Sequence, residues 1–400
     1  MIYPNILAKV LGRTGTFLAD DLFRERSSVE ESVANSRILV IGAAGSIGGA
    51  FVRELIGYGP AVLDLVDISE NNLAEVVRDL RSSGTKLPAD FATFALDYGG
   101  LEMRALLRSR QYDFVLNFSA LKHVRSERDC FTLMRLLEVN VLSNARLIQW
   151  LSETHIPRKV FAVSSDKAVR SGNLMGASKA FMERVFLANS ETIPFGSARF
   201  ANVAFSDGSL LHGFRQRIEK RQPITAPDDV RRYFISHQEA GQLCLLGCFA
   251  GRNREIVYSD FRPDRDMLTF SEIAKVFLRE SGYVPVECRS EEEALAMAAQ
   301  LGDGSTEWPC FFSSSDTSGE KQYEEFVDPG ETTDDARFEK MGVVTKPIDH
   351  GAARTMAAVR ELQALKDSGE WTIDDLVAIV SKAVPEMNHV KGERNLDQKM

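Results

Sequence analysis

The sequence has little cysteine and no pairing pattern among the cysteines that it does have. Five of its 400 residues are cysteine, an odd number, and none stands in a CxxC spacing. Neither a disulfide framework nor a zinc site is therefore indicated, and we expect no bound metal. Two of them, one helical turn apart in "EAGQLCLLGCF", are interpreted as buried thiols. The five are Cys130, Cys244, Cys248, Cys288 and Cys310.

Long apolar runs and an excess of positive charge are also missing. No segment reaches the length of a membrane-spanning helix, and "MIYPNILAKVLGRTGTFLADDLFRERSS" lacks the charged start and apolar run of a secretion signal. The formal net charge of -9 and the isoelectric point near 5.4 argue against a nucleic-acid-binding surface. We therefore expect a soluble cytoplasmic protein with no membrane span and no nucleic-acid partner.

From Arg37 onward, β-rich apolar runs alternate with helix-length segments. Runs such as "RILVIG", "DFVLNFSA" and "KVFAVSSD" predict a parallel, doubly wound sheet of the Rossmann type, because right-handed crossovers bury both faces of each strand. After Asn202 this rhythm is lost and short strands mix with helices, which predicts a smaller mixed α/β domain. Apolar residues at helical spacing before residue 37 predict an N-terminal helical arm.

A glycine-rich turn follows the first of these strands in "ILVIGAAGSIGGAFVREL". Its glycines stand where a strand passes into a helix, which allows backbone N–H groups to approach a pyrophosphate at the positive end of the helix. An acidic residue, Asp67, ends the next strand and is positioned to accept hydrogen bonds from an adenine ribose. The predicted cofactor-binding turn comprises Gly42, Gly45, Ser46, Ile47 and Gly48.

The carboxylate of Asp67 favours NAD over NADP, since it would repel a ribose phosphate and no arginine follows it. Asp97 and Asn117 end the next two β-like runs, at the edge where Rossmann ligands lie, and are further candidates for cofactor binding. Each could equally be a turn-forming residue.

An unusual polar cluster follows the run "KVFAV". Ser165, Asp166 and Lys167 emerge at the carboxyl end of a predicted strand, beside the expected nicotinamide, and Lys179 falls on the next helix. This arrangement resembles the active site of short-chain dehydrogenases/reductases, whose motif normally reads Tyr-x-x-x-Lys. Met175 stands at the tyrosine position. A methionine there is also compatible with a residue that only lines the pocket.

Five separated motifs, "GAAGSIG", "NFSALKHV", "SSDKAVRSGNLMGASK", "ARFANVAFSDGSLLHGF" and "DDVRRYFIS", resemble the UDP-N-acetylglucosamine 4,6-dehydratases of the bacterial polysaccharide-biosynthesis family. The resemblance is densest from about Arg37 to Cys248. Members with methionine in place of tyrosine are similar to the type that retains the configuration at C5. The resemblance implies a lyase with a tightly bound NAD that is regenerated in each turnover, and a UDP-sugar as substrate.

The resemblance also implies roles for single residues. Asp166 would be the acid toward the C6 oxygen and Lys167 the base at C5. Because Met175 cannot exchange a proton with the C4 hydroxyl, that task passes to Ser165, Lys179 or a bound water, with Ser165 relayed to Lys179 ranked first. The substrate would be contacted by Lys122, Asn202, Ser209 and Arg232, whereas His123 and Arg125 could simply be solvated.

Taken together, these patterns divide the chain into four parts. We assign residues 1–36 to the helical arm, 37–200 to an NAD-binding Rossmann domain to which 230–250 return, 201–229 and 251–350 to a substrate-binding domain, and 351–400 to C-terminal helices and a tail. We expect a homo-oligomer. Three other functions remain open: a C5-inverting dehydratase, a nucleotide-sugar 4-epimerase and a non-catalytic NAD-binding protein.

Overall fold

The computed structural model of the protein describes residues 4–315, 323 and 325–389. Its strands are β1 (Arg37–Ile41), β2 (Val62–Asp67), β3 (Asp90–Ala95), β4 (Phe114–Asn117), β5 (Lys159–Ser165), β6 (Phe195–Phe200), β7 (Asn202–Val203), β8 (Ile224–Pro227), β9 (Arg231–Ile235), β10 (Glu255–Ser259), β11 (Met267–Thr269), β12 (Val284–Glu287), β13 (Glu307–Ser313), β14 (Thr332–Asp334) and β15 (Met341–Lys346).

The helices begin with α1 in the N-terminal arm and end with α15. They are α1 (Pro4–Leu11), α2 (Ala19–Val33), α3 (Ser46–Ile56), α4 (Glu70–Ser82), α5 (Leu101–Ser109), α6 (Cys130–Leu137), α7 (Ser143–Thr154), α8 (Leu174–Ala188), α9 (Leu210–Glu219), α10 (His237–Phe249), α11 (Pro263–Asp266), α12 (Phe270–Glu280), α13 (Glu291–Ala298), α14 (Ala352–Ser368) and α15 (Ile373–Ala383).

A nine-stranded sheet forms the larger part of the molecule, in the order β3-β2-β1-β4-β5-β6-β10-β15-β14. The first seven strands are parallel, and β15 and β14 add an antiparallel edge. Helices α2, α3, α4 and α10 contribute to the apolar core on one face, and α5 to α8 contribute to the core on the other. The predicted doubly wound sheet of the Rossmann type is confirmed.

The smaller part of the molecule has two three-stranded sheets, β11-β9-β7 and β12-β13-β8. Helices α9 and α12 pack on the second of these through β8. The N-terminal helix α1 joins this part, because Ile6 and Val10 are buried in its apolar cluster. The predicted mixed α/β domain and helical arm are therefore both present as structure, and α2 of the arm packs on α10 of the larger part.

The large sheet contains strands from the range 251–350, which the sequence pattern assigned to the substrate domain. Within 251–350, the strands β10, β14 and β15 all pair in the nine-stranded sheet. The division at 251–350 is thus corrected, since the chain returns to the large sheet after each excursion. The stretch from residue 302 to 335 contains β13 and β14, while part of it and residues 390–400 lie outside the described residues.

The C-terminal helices α14 and α15 pack against α8. Helix α8 is consequently enclosed on all sides, with residues Leu174 to Leu187 buried. In the ranges that the structure describes, no helix combines the length and the apolar character that crossing a membrane requires.

A buried ion cluster joins the sheet, α8 and the segment before β14. The guanidinium of Arg199 on β6 donates to both carboxylate oxygens of Glu183 on α8, at 3.0 and 2.7 Å, and to both of Glu331, at 2.6 and 2.9 Å. All three side chains are almost fully buried. Removal of one partner from such a cluster leaves uncompensated charge in a medium of low polarity.

We therefore expect Arg199→Ala to lower the free energy of unfolding by about 3–5 kcal/mol, because two buried carboxylates lose their counter-ion. Urea denaturation of the wild type and variants measures the loss. Arg78→Ala is the matched control, since Arg78 pairs with Glu75 at the surface, where both side chains are 73% exposed, and such a pair contributes less than about 1 kcal/mol. Equal stability of the two variants would contradict the assignment.

Candidate active site

The glycine turn after β1 is shaped by close backbone packing. Gly42 has φ of +71°, and a Cβ there would lie 2.6 Å from the amide nitrogen of Ser119. A Cβ at Gly48, in the first turn of α3, would collide with the carbonyl oxygen of Gly42. The strand and the helix can therefore approach this closely only with glycine at both positions, and the N-terminus of α3 is left open toward the sheet edge.

Asp67, at the end of β2, holds this turn in place. Its carboxylate accepts hydrogen bonds from the backbone amides of Ala44 at 3.0 Å and Ser69 at 2.9 Å. The side chain is half-buried at the edge of the sheet next to the glycine turn. Its position beside that turn is the one that the sequence predicts.

Two other predicted cofactor residues have structural partners. Asn117 is buried, and its amide donates to Asn144 at 2.7 Å and accepts from the backbone of Ser119 at 2.9 Å. Asp97 accepts from the backbone amide of Gly99 and pairs with Arg135 at 3.2 Å. The hydrogen bonds of Asn117 therefore fit the turn-forming alternative left open by the sequence.

A cavity of about 410 Å³ lies at the carboxyl ends of β1, β4, β5 and β6, between the large sheet and the smaller part. It brings together most of the residues predicted from sequence: Gly45, Ser46, Ile47, Gly48, Lys122, Ser165, Asp166, Lys167, Met175, Lys179, Asn202 and Ser209. Gly42, Asp67, Asp97, Asn117 and Arg232 are not among its lining residues.

An acid and an amine are in direct contact at the end of β5. The Nζ of Lys167 donates to Oδ1 of Asp166 at 3.1 Å, and the backbone amide of Lys167 donates to the same oxygen at 2.8 Å. Ser165 donates to this oxygen too, at 2.8 Å. The Asp166 side chain is 3% exposed and that of Lys167 is 25% exposed, so the carboxyl is enclosed while the amine reaches the cavity.

Helix α8 presents Lys179 and Met175 to the same cavity. The buried amine of Lys179 donates to the carbonyl oxygen of Val163 at 2.9 Å, and burial lowers its pKa to about 8. The side chain of Met175 is buried, and its backbone amide donates to Oε1 of Glu127 at 2.9 Å. A thioether carries no exchangeable proton, so Met175 contributes shape alone to the pocket.

Three of the four predicted substrate residues line the cavity and one does not. Lys122 lies with its Nζ 3.5 Å from the Ser206 hydroxyl, and burial lowers the pKa of its amine. Ser209 caps α9 through its hydroxyl, and Asn202 donates to the carbonyl oxygen of Tyr233 at 3.4 Å. Arg232 is buried in β9, away from the cavity lining, and donates to the carbonyl of Arg231.

His123 and Arg125, which could simply be solvated according to the sequence, differ in whether they line the cavity. His123 lines the cavity, and burial together with the charges of Lys122 and Arg125 lowers the pKa of its imidazole. Its ring lies against Gly208, where a Cβ would come within 2.9 Å. Arg125 is not among the lining residues.

Asn140 supports the site and was missed from the sequence. It lies in a π-helical turn, Glu138–Leu142, and its side-chain amide exchanges two hydrogen bonds with the backbone of Leu121, at 3.0 and 2.8 Å. It also donates to the hydroxyl of Ser178 on α8 at 2.9 Å. An asparagine inside the apolar helix pattern "LLEVNVLSNARLI" is the signal that could have revealed it, since buried amides need partners.

Comparison with known proteins identifies a family whose model matches this chain. Residues 38–346 match the family model described as polysaccharide biosynthesis protein. A Methanocaldococcus jannaschii protein described as an uncharacterized membrane protein is 32% identical over 226 residues, covering 55% of this chain and 65% of its own. A probable polysaccharide biosynthesis protein of Bacillus subtilis is 26% identical over 270 residues, covering 66% and 44%. An inverting UDP-N-acetylglucosamine 4,6-dehydratase of Campylobacter jejuni is 27% identical over 219 residues, covering 52% and 62%.

Solved structures are similar to this chain in fold. The protein Pen of Bacillus thuringiensis superposes with a TM-score of 0.62 at 20% identity, covering 79% of this chain and 89% of its own. A dTDP-glucose 4,6-dehydratase of Streptomyces venezuelae, solved with NAD bound, has a TM-score of 0.55 at 20% identity, covering 81% and 96%.

The family model matches most of this chain, whereas the curated relatives are matched over only part of their own length. The alignments span 44% to 65% of the length of the curated relatives described above, whereas the family model covers most of the present sequence from β1 to β15. The chain therefore belongs to the family of polysaccharide biosynthesis proteins.

Proposed function

We propose that this protein catalyses the NAD-dependent 4,6-dehydration of UDP-N-acetylglucosamine to a UDP-4-keto-6-deoxy sugar, with retention at C5. The observation that carries the proposal is a cavity lined both by the hydrogen-bonded pair of Asp166 and Lys167 and by the N-terminus of α3. A carboxyl and an amine in contact fit an elimination of water, which requires an acid and a base on neighbouring carbons. The named relative from Campylobacter jejuni supports this reaction class.

The glycine turn fits a dinucleotide. Gly42 and Gly48 let β1 and α3 pack closely, and the N-terminus of α3, which lines the cavity, suits a pyrophosphate. A carboxylate at Asp67, beside this turn, suits a ribose with free hydroxyls better than one bearing a phosphate, which favours NAD. When bound, the nicotinamide supplies the acceptor for a hydride from C4 and its return to C6.

Asp166 and Lys167 could prepare each other for the elimination. As an ion pair they hold one proton between them, and its transfer along the 3.1 Å contact converts the carboxylate into an acid and the ammonium into a base. The neutral amine of Lys167 then takes the C5 proton, and the Asp166 carboxyl protonates the departing C6 hydroxyl. The same pair can return a proton to C5, which completes the product.

The two groups differ in exposure. The Asp166 side chain is almost fully enclosed, at 3% exposed. Lys167, on the more open side of the pair, is the group that can reach a sugar ring in the cavity. Geometry therefore supports Asp166 as acid and Lys167 as base, the roles implied by the resemblance.

Retention at C5 rests on Met175. The family members that resemble this chain at that position belong to the retaining type, while the Campylobacter jejuni relative is named as inverting. A UDP-glucose 4-epimerase of Rickettsia akari is 29% identical over 153 residues, covering 37% of this chain and 44% of its own, which keeps an epimerase as the second candidate. An epimerase needs no acid at C6, so Asp166 favours the dehydratase.

The decisive experiment is to incubate purified protein with UDP-N-acetylglucosamine without added cofactor and to follow the sugar nucleotide by mass spectrometry and proton NMR. Loss of one water with a 4-keto, 6-methyl product would support a dehydratase that carries its NAD. Nuclear Overhauser contacts between H5 and the other ring protons distinguish retention from inversion. A substrate that stays unchanged after NAD is added, and with the guanosine analogue as well, would remove the enzyme assignment and favour a non-catalytic NAD-binding protein.

The glycine turn provides a prediction about cofactor content. We expect Gly48→Ala to abolish copurified NAD, because the added Cβ would collide with the carbonyl of Gly42 and open the turn. The matched control is the adjacent Gly49→Ala, whose Cβ would meet the carbonyl of Ala43 at an ordinary 3.5 Å. NAD released by acid and quantified by its absorbance measures both, and equal NAD content in the two variants would count against this binding mode.

The acid at C6 provides a second prediction. Asp166→Asn keeps the shape of the side chain and removes the proton donor, so we expect dehydration to fall by about 10²-fold or more. Reduction of the bound NAD on mixing with UDP-N-acetylglucosamine, followed at 340 nm, should persist, since that step does not use the acid. Asp303→Asn, an exposed surface change, is the control. Wild-type dehydration in Asp166→Asn would eliminate the assigned role.

A further inference from the structure

Glu127 connects two walls of the candidate active site. Its Oε1 accepts a hydrogen bond from the backbone amide of Met175 at 2.9 Å, and the two residues are 48 positions apart in the chain. The Glu127 side chain is 15% exposed and is not among the residues that line the cavity. Because a carboxylate is a stronger acceptor for a backbone amide than a neutral group, this contact fixes Met175 from outside the cavity.

The first of these walls is the segment that follows β4. Lys122 and His123 line the cavity, and the turn Val124–Arg128 begins directly after them. The backbone amide of Ser126 in this turn donates to the carbonyl oxygen of His123 at 3.0 Å. The turn that carries Glu127 is therefore tied to the two cavity-lining residues before it.

The second wall is the first turn of α8. Met175 is the second residue of this helix, and the amide of the next residue, Gly176, is already capped by the side chain of Asn173 at 2.9 Å. A Cβ at Gly176 would collide with the carbonyl oxygen of Lys167. The first turn of α8 thus packs directly on the backbone of the proposed base, and a shift of Met175 is passed on to Lys167.

The segment after α15 contacts both Glu127 and the chain that follows Lys167. The Nε2 of His389 lies 3.8 Å from Oε2 of Glu127. The backbone amide of Asn388 donates to the carbonyl oxygen of Ser171 at 3.0 Å, and the Ser171 hydroxyl donates to the carbonyl oxygen of Lys167 at 2.9 Å. Glu127 therefore lies where three separate segments of the chain meet.

We propose that Glu127 is a positioning residue for the dehydration, acting through the backbone amide of Met175. It holds the first turn of α8, and Lys167 with it, in place relative to Lys122 and His123. This inference rests on the proposed dehydratase and deepens it, since it names a residue outside the cavity on which the elimination depends. A base must lie within reach of the proton that it removes, so a displaced first turn slows proton removal at C5.

The test compares three substitutions at this position. Glu127→Ala removes the acceptor, whereas Glu127→Gln keeps an acceptor oxygen at the same reach. Glu127→Asp keeps the charge but is one methylene shorter, which withdraws the acceptor from the Met175 amide. If Glu127→Ala fails to fold, Glu127→Asp provides the same comparison. Each full-length protein is assayed with added NAD and UDP-N-acetylglucosamine, and loss of water gives kcat and KM.

We expect Glu127→Ala to lower kcat by about 10²-fold, the effect of a displacement of roughly 1 Å at a reacting group. KM should stay within about threefold of the wild-type value, because the residues that line the cavity are unchanged. Glu127→Gln should recover most of the lost kcat, and Glu127→Asp should be slow. A raised KM at normal kcat would overturn the inference in favour of a substrate contact, and an equally slow Glu127→Gln would overturn it in favour of a charge effect.

Asp21 provides the matched control. Its buried carboxylate also joins distant segments through backbone amides, those of Glu339 at 2.6 Å and Lys340 at 2.9 Å, and it is not among the residues that line the cavity. Asp21→Ala should therefore lower the midpoint of urea unfolding and leave kcat at the wild-type value. An equal fall of kcat in Asp21→Ala would contradict a specific role of Glu127, since any loss of packing would then be sufficient.

A second readout needs no substrate. Hydrogen–deuterium exchange of a peptide that spans residues 174–181, followed by mass spectrometry, reports on the first turn of α8. Glu127→Ala should speed the exchange of this peptide because the Met175 amide loses its acceptor, whereas Glu127→Gln and Asp21→Ala should not. Unchanged exchange in Glu127→Ala would refute the inference whatever its kcat.

These outcomes separate the inference from the proposed function. If the wild type dehydrates no UDP-sugar, the proposed function fails and the positioning role of Glu127 fails with it, even if the exchange experiment detects the contact with Met175. If the wild type dehydrates its substrate and Glu127→Ala does so with the same kcat, only the inference fails.

Discussion

The arrangement of the candidate active site depends on where the buried strand β5 ends. Strand β5 lies between β4 and β6 in the middle of the parallel sheet, so its side chains from Lys159 to Ser164 are buried. At the carboxyl edge, where each strand turns toward a helix, the sheet leaves a cleft. Ser164, Ser165 and Asp166 enter that cleft as β5 ends, and α3 begins beside it, so the same edge creates the phosphate-binding turn and the polar cluster.

Burial links the stability of the fold to the chemistry of the site. Helix α8 is enclosed by the sheet and by α14 and α15, and this enclosure lowers the pKa of Lys179 to about 8. The charge of Glu183, one turn further along α8, acts in the opposite direction. Glu183 also pairs with Arg199, so one residue of the ion cluster that secures α8 to the sheet favours the charged form of this amine.

The sequence predicts well what is decided locally along the chain. The alternation of strands and helices predicts the doubly wound sheet, and the motif "SSDKAVRSGNLMGASK" contains five residues that line one cavity: Ser165, Asp166, Lys167, Met175 and Lys179. It failed where distant segments decide the answer. The pairing of β10, β14 and β15 in the large sheet depends on contacts between segments far apart in sequence.

The residue types and their order therefore determine the fold class, the glycine turn and the set of groups available for chemistry, because helix and strand periodicity and glycine geometry act over a few residues. Tertiary structure decides which of two adjacent serine hydroxyls is hydrogen-bonded. Ser165 is engaged by Asp166 and Lys167, while the hydroxyl of Ser164 is enclosed and has no partner within the described residues. That difference arises from strand register and burial, which only the packed sheet defines.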